Sequence, residues 1–200
     1  MIPLKLTLQN FLSYGPKIQT VDFTSYRLIC LSGKNGHGKS ALLDAITWAL
    51  WGQARKTSNM SKPDHGVIHL GQANTMVIFD FMFNNITYRV RRVFSVKYGK
   101  PHAHIDFGTL DTATDYFHAL TEKTMRKTQE RIDTIIGLSY DSFINSCFLR
   151  QGQSNEFSKK SPKERKEVLA TILGITLTTT LRLIAMKFNW NLPKAKGSLD

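Results

Sequence analysis

Apolar and polar positions alternate from the start of the chain. Ile2, Leu4, Leu6 and Leu8 fall on one side, and Lys5, Thr7 and Gln9 on the other. This period of two predicts a half-buried strand. Ser13-Tyr14-Gly15-Pro16 reads as a turn, and residues 18–23 as a second short strand. Leu28-Ile29-Cys30-Leu31 is instead an unbroken apolar run, the pattern of a strand buried on both faces. A glycine-rich stretch follows it directly. Ala41 to Trp51 is then apolar nearly all round, which predicts a buried helix stopped by Gly52. Residues 53–66 are polar and loop-like. Residues 75–107 predict a β-meander, with turns at Asn84-Asn85 and Tyr98-Gly99-Lys100.

The remainder reads as helical. Residues 121–136 carry apolar or methyl-bearing positions at Thr124, Thr128, Ile132, Ile135 and Ile136. Residues 161–173 open with Ser161-Pro162-Lys163-Glu164, a capping box with proline at the first helical position, and Gly174 stands as a C-cap. Leu177, Leu181, Ile184 and Phe188 are spaced four, three, four, as in a coiled-coil seam, over fewer than three heptads. Leu192 to Ser198 reads as a frayed tail. The sequence contains no internal repeat.

Composition adds little to this outline except charge. With 200 residues and 42% hydrophobic content the chain is long and apolar enough for one folded domain. Its formal net charge of +12 favours a polyanionic partner, or else an acidic counterpart carried elsewhere. Cys30 and Cys147 both sit in apolar runs without metal-ligand spacing, and are expected to be buried free thiols in a reducing compartment. No stretch reaches the roughly 18 apolar residues of a membrane span. The N-terminus reads as a strand and lacks the shape of a signal peptide. The expected location is therefore cytoplasmic (the nucleoid, in a bacterium) or nuclear, with no secretion and no membrane partner.

Chemistry concentrates in Gly33-Lys34-Asn35-Gly36-His37-Gly38-Lys39-Ser40, the Walker A pattern. Its glycines let the backbone approach oxygen atoms closely, and successive N–H groups then line a nest around phosphates. The helix that follows adds its N-terminal dipole and unpaired donors. Lys39 supplies a point charge to the β- and γ-phosphates, and the Ser40 hydroxyl ligates Mg²⁺. The expected nucleotide-binding set is Gly33, Asn35, Gly36, His37, Gly38, Lys39, Ser40 and Ala41; the His37 side chain has no role of its own, and Asn35 is placed to reach the γ-phosphate or to fill surface. A chain of this length meets the pattern by chance roughly once in a hundred. A buried strand expected before it and a helix after it, the confirming arrangement, reduce that further. The nearest string to a guanine-reading Asn-Lys-x-Asp is Ser61-Lys62-Pro63-Asp64, which lacks the Asn, so ATP is expected over GTP.

A second piece is Phe143-Ile144-Asn145-Ser146-Cys147-Phe148-Leu149-Arg150-Gln151-Gly152-Gln153, an apolar element that ends in a polar turn. The Gln151 carbonyl is a hard oxygen suited to Mg²⁺, and its amide can orient a water. A turn glutamine facing solvent fits the same pattern. The order of motifs resembles the SbcC type of the SMC-related ATPases, the ATPase subunits of DNA double-strand-break repair nucleases. The resemblance rests on Leu6 to Tyr14, Ser32 to Ser40, Leu43-Asp44-Ala45-Ile46, Phe143 to Gly152, Ser161 to Lys166 and Ile172-Leu173-Gly174, and it covers residues 1 to about 188. The chain departs from it at Leu12, where some relatives carry a basic residue.

The resemblance implies that Gln151 is the Q-loop glutamine, sharing Mg²⁺ with Ser40 and acting with Lys39 in catalysis. It implies an α/β fold: an ATPase head lobe with a mixed sheet carrying the P-loop, a β-rich lobe and a helical lobe leading into a coiled coil. The expected layout is an N-terminal ATPase lobe over 1–175, with P-loop 33–40, β-rich lobe 67–108 and Q-loop 148–153. The coiled coil would start at 176–190, with a tail at 191–200. It further implies ATP-driven pairing of two heads, DNA, and a nuclease subunit of the SbcD type as partners. A signature motif and a Walker B Asp-Glu belong to the family's C-terminal half. Val77-Ile78-Phe79-Asp80 ends in an acid, but Phe81 follows, so Asp80 reads as a hairpin residue. Two basic clusters suit phosphate contacts. One is the strand Tyr88-Arg89-Val90-Arg91-Arg92-Val93, where Arg89 and Arg91 fall on one face, with the turn residues Lys97, Tyr98 and Lys100. The other is Lys159, Lys160, Lys163, Arg165 and Lys166 at the start of a helix. A solvated basic face is the plainer reading of either. Two other functions fit parts of the sequence, a transporter-type ATPase subunit and a module that binds nucleotide or DNA without turnover.

Overall fold

The computed structural model describes residues 1–54, 66–146 and 161–166. The expectations at Cys147, Gln151, Lys159, Lys160 and Gly174, and for the coiled-coil seam at 177–188, lie outside the described residues. The chain divides into two compact units, Met1–Gly137 and Leu138–Asp200.

The first unit is built on one six-stranded sheet. Its strands are β1 (Ile2–Gln9), β2 (Gln19–Asp22), β3 (Asn74–Phe83), β4 (Ile86–Lys97), β5 (Lys100–Asp111) and β6 (Tyr116–Ala119), in the order β2-β1-β3-β4-β5-β6. Every pairing is antiparallel. Helices α1 (Lys39–Trp51) and α2 (Met125–Ile136) pack on the central strands and on each other. The α/β class holds, and the β-meander forms where alternation predicted it. Among the described residues, however, the sheet is antiparallel throughout and not mixed.

Register decides which residues meet the helices. Leu6 pairs with Phe79, Phe79 with Val90, and Val90 with Phe107, and all four are fully buried. Each such side chain contributes about 1.5–3 kcal/mol relative to exposure. Phe79, Phe81, Tyr88 and Phe107 form a continuous stack with centroid separations of 5.4, 5.7 and 5.7 Å. The alternate residues Lys5, Thr7, Ile78, Asp80, Arg89, Arg91 and Asp106 occupy the other face. The β3–β4 loop is two residues long, with Asn84 and Asn85 both at positive φ (49° and 62°), as a hairpin twisted like its strands requires.

Two expectations are corrected. Leu28-Ile29-Cys30-Leu31 forms no strand; Leu28 is 90% exposed, and Ile29 and Leu31 are also exposed. An apolar run becomes a buried strand only where neighbours supply both hydrogen bonds and cover, and none of the six strands pairs with these residues. Cys30 is accordingly exposed and not buried.

Helix α2 starts at Met125, later than the predicted 121, because Thr124 is extended and caps it. The Thr124 hydroxyl accepts a bond from the Lys127 amide at 3.3 Å. In the second unit, α3 spans Tyr140–Ser146. The capping box at Ser161 forms as predicted: the Glu164 carboxylate accepts from the Ser161 amide (2.8 Å), and the Ser161 hydroxyl accepts from the Glu164 amide (3.4 Å). Residues 162–166 make the helical turn that it opens.

Candidate functional site

The Walker A residues lie between the exposed run at 28–31 and the first turn of α1. Gly33 to His37 are exposed, while Gly38, Lys39 and Ser40 are half-buried. Helix α1 starts at Lys39 because Gly38 takes a left-handed conformation (φ 84°, ψ 3°) and turns the chain into the helix. No side chain caps this end, and the first turn carries no acidic residue. The partial positive charge of the helix start is therefore not offset by a local carboxylate, which is the arrangement that favours an anion.

Gly38 is also confined from outside. A Cβ at this position would stand 2.7 Å from Ser13 Oγ and 3.3 Å from the Tyr14 ring. The Tyr14 hydroxyl donates to the Gly38 carbonyl at 3.2 Å, and burial pushes its pKa above the usual value. Residues 10–15 are held in turn by bonds from Leu12 N to Val67 O (2.8 Å), Tyr14 N to Phe11 O (2.8 Å) and Asn10 N to Gly15 O (3.0 Å). His69 Nδ1 lies 2.6 Å from Leu12 O. Leu12 adopts a φ of 50°, strained for a leucine. The turn that buttresses the P-loop is thus tightly determined.

The Lys39 ammonium donates to the carbonyls of Gly33 (2.6 Å) and Lys34 (2.8 Å). These bonds carry the charge back across the loop to its mouth. The Ser40 hydroxyl sits one residue further along the same turn. Of the expected set, the structure therefore brings together the backbone from Gly33 to Gly38 with Lys39 and Ser40. Asn35 and His37 are exposed on the loop. Ala41 is buried, and its amide donates to Gly38 O at 3.0 Å, so it serves the first helical turn. Ser13 and Tyr14 read as a turn in the sequence; nothing in the spacing announces a contact with a residue 24 positions away.

The basic strand residues have partners. Arg89 makes two bonds to Asp80, Nε to Oδ1 at 2.7 Å and Nη2 to Oδ2 at 2.8 Å, and these bonds push its pKa above the usual value. Arg91 donates to Asp106 at 3.0 Å, and His104 Nε2 lies 2.8 Å from the other Asp106 oxygen. Arg92 points to the helix-covered face and is buried. Asp80 is the hairpin residue expected. Lys97, Tyr98 and Lys100 are exposed at the β4–β5 tip.

A Walker A sequence leading into a buried helix, beside an antiparallel sheet, is the arrangement of the P-loop class of folds. Residues 5–187 match the AAA domain family, and the chain belongs to that family. Among its curated relatives is the SbcC component of the SbcCD nuclease of Deinococcus radiodurans, 30% identical over 175 residues, 88% of this chain and 19% of the relative. A probable DNA double-strand break repair Rad50 ATPase of Aquifex aeolicus is 30% identical over 200 residues, 100% of this chain and 19% of the relative. The chain thus spans about a fifth of the length of these relatives. These matches bear out the resemblance to SbcC-type, SMC-related ATPases. A solved chain from work on ATP-driven dimerization and DNA-stimulated activation of SMC ATPases superposes with a TM-score of 0.59 at 22% identity. It covers 86% of this chain and 99% of that one, and supports the head-lobe fold. No helix among the described residues is long and apolar enough to cross a membrane.

Proposed function

We propose that this chain is the ATP-binding N-terminal lobe of an ATPase that controls a DNA double-strand-break repair nuclease. The observation that carries the reading is the start of α1: a helix end with no acid in its first turn, a left-handed Gly38, and a lysine ammonium held across the preceding loop. A triphosphate supplies the negative charge and the acceptor oxygens that such a site favours. The hard hydroxyl oxygen of Ser40, next to Lys39, fits Mg²⁺; when bound there, the ion neutralises phosphate charge. By family resemblance, Gln151 completes the site. Hydrolysis then depends on the signature motif and Walker B acid of the family's C-terminal half, in paired heads clamped by ATP, with a nuclease subunit of the SbcD type alongside. DNA is the partner proposed for the excess positive charge. Because Arg89 and Arg91 are ion-paired, the exposed lysines of the β4–β5 tip are the better phosphate contacts of that cluster.

The test is binding of a methylanthraniloyl-labelled ATP to the 200-residue chain, together with its steady-state phosphate release. We expect saturable binding that Lys39→Ala weakens by more than about tenfold, and near-zero turnover. Equal affinity of the wild type and Lys39→Ala would refute the nucleotide site. Robust turnover by pure chain would refute the division of labour between the two halves.

A further inference from the structure

The far end of the P-loop helix is held as firmly as its start, and by a charge. A helix leaves its last four carbonyls without intrahelical partners. In α1 the Trp48 carbonyl accepts from the Gly52 amide at 2.8 Å. The Ala49 carbonyl accepts from Arg92 Nε at 3.1 Å. The Leu50 carbonyl accepts from Gln129 Nε2 at 2.8 Å. The two side chains also bond each other, Arg92 Nη2 donating to Gln129 Oε1 at 2.6 Å. Asp133, one turn further along α2, accepts the second amide hydrogen of Gln129 at 3.0 Å. The Arg92 guanidinium lies 5.9 Å from the centre of the Trp48 ring. Gly52 completes the fit: its φ is 68°, and a Cβ there would come within 3.2 Å of Arg92 Nη1.

Burying a guanidinium is costly, and an apolar side chain would fill the same space more cheaply. Arg92 is nonetheless only 7% exposed, on the central strand β4. What it provides is direction. Its planar fork fixes two bonds at once, and its charge sits at the C-terminal, negative end of the α1 dipole. Rotation of α1 by one residue, or a slip along its axis, breaks the bonds at Ala49 and Leu50 together. The helix is 13 residues long, about 20 Å. Fixing its end in rotation and translation therefore fixes where Lys39, Ser40 and the first amides point.

We infer that Arg92 and Gln129 are positioning residues for the nucleotide site, acting through α1. The pair forms a clamp that ties the helix to β4 and α2, and holds its other end in phosphate-binding alignment. This inference rests on the P-loop reading above. It assigns nucleotide affinity to two side chains at the opposite end of the helix from the loop.

The experiment measures affinity for methylanthraniloyl-ATP, well below the melting temperature, in the wild-type chain and in Arg92→Lys, Gln129→Ala, Lys39→Ala and Ile132→Val. Arg92→Lys keeps the charge and loses the fork. Gln129 is half-buried, so Gln129→Ala decides the matter if Arg92→Lys fails to fold. Ile132→Val trims the buried face of α2 without touching the clamp, and reports ordinary loss of stability. We expect Arg92→Lys and Gln129→Ala to weaken binding by about tenfold, and Ile132→Val to lower the melting temperature with affinity unchanged. The clamp is overturned if both clamp variants bind within about twofold of the wild type, or if Ile132→Val weakens binding as much as they do. Unchanged affinity in Lys39→Ala refutes the P-loop reading itself. Normal loss in Lys39→Ala with intact binding in the clamp variants refutes the clamp alone.

Discussion

Asp80 and Arg89 face each other across β3 and β4, and their two parallel hydrogen bonds make a bidentate charge contact. The Asp80 side chain is 6% exposed and that of Arg89 27%. Removing the carboxylate leaves a guanidinium partly out of water with its main partner gone. Because Arg89 keeps some solvent access and a second, longer contact to Asp115 (3.7 Å), the loss is below that of a fully buried pair. Asp80→Asn should cost about 2 kcal/mol in urea unfolding; a loss under about 0.5 kcal/mol would place the pair with ordinary surface bridges. Side-chain chemistry alone identifies Asp80 as a hairpin residue, since Phe81 stands where a Walker B glutamate belongs. Alternation separates Arg91 from Arg92 in the sequence, but does not tell which face the helices cover. The two are adjacent and chemically identical, yet strand alternation sends one to the open face and the other beneath α1. Cys30 misleads in the same way, because an apolar neighbourhood in sequence is not cover in space.

At the scale of elements, the β4–β5 hairpin departs from the rules that its neighbour obeys. The β3–β4 turn uses two asparagines, residues that tolerate positive φ. The β4–β5 turn instead puts Tyr98 at φ 50°, with its side chain fully exposed. Lys97 and Lys100 pair directly across the strands, a like-charge pair that weakens a sheet. Local costs gathered at one tip are tolerable where the surface has a use, and under the proposed function two lysines with an aromatic side chain would suit a nucleic-acid backbone and base. Lys97→Ala combined with Lys100→Ala should lower the salt dependence of duplex DNA binding, reducing the slope of log K against log salt by about 1.8. Thermal stability should hold or rise as the repulsion is removed. An unchanged slope would exclude this hairpin from the DNA surface. The meander and both its turns are legible in the sequence because period-two alternation and turn residues are local signals. The start of α2 is not, because Thr124 matches the apolar stripe by its methyl group and caps the helix by its hydroxyl.

At the scale of the molecule, the run Leu28-Ile29-Cys30-Leu31 has the composition of a core strand and the exposure of a loop. The first property is written in the sequence, but the second depends on what lies next to the run. The six strands pair without it, and the chain spans about a fifth of the curated relatives it matches. Under the proposed function, in which a C-terminal half completes the ATPase, the run is expected to become a buried strand directly upstream of the P-loop. That expectation predicts different effects of one double variant in two settings. In the chain alone, Leu28→Ser with Leu31→Ser touches exposed side chains, so stability should change by no more than about 0.5 kcal/mol. Self-association at high concentration should fall as an exposed apolar patch is removed. In the complete ATPase, the same changes bury two hydroxyls where leucines packed, and should lower its melting temperature and its ATP affinity together. A marked loss of stability in the chain alone would mean that the run is already packed there. An unaffected complete ATPase would mean that the run stays outside the core, and that the P-loop is aligned from α1 and the Ser13–Tyr14 turn without a strand behind it.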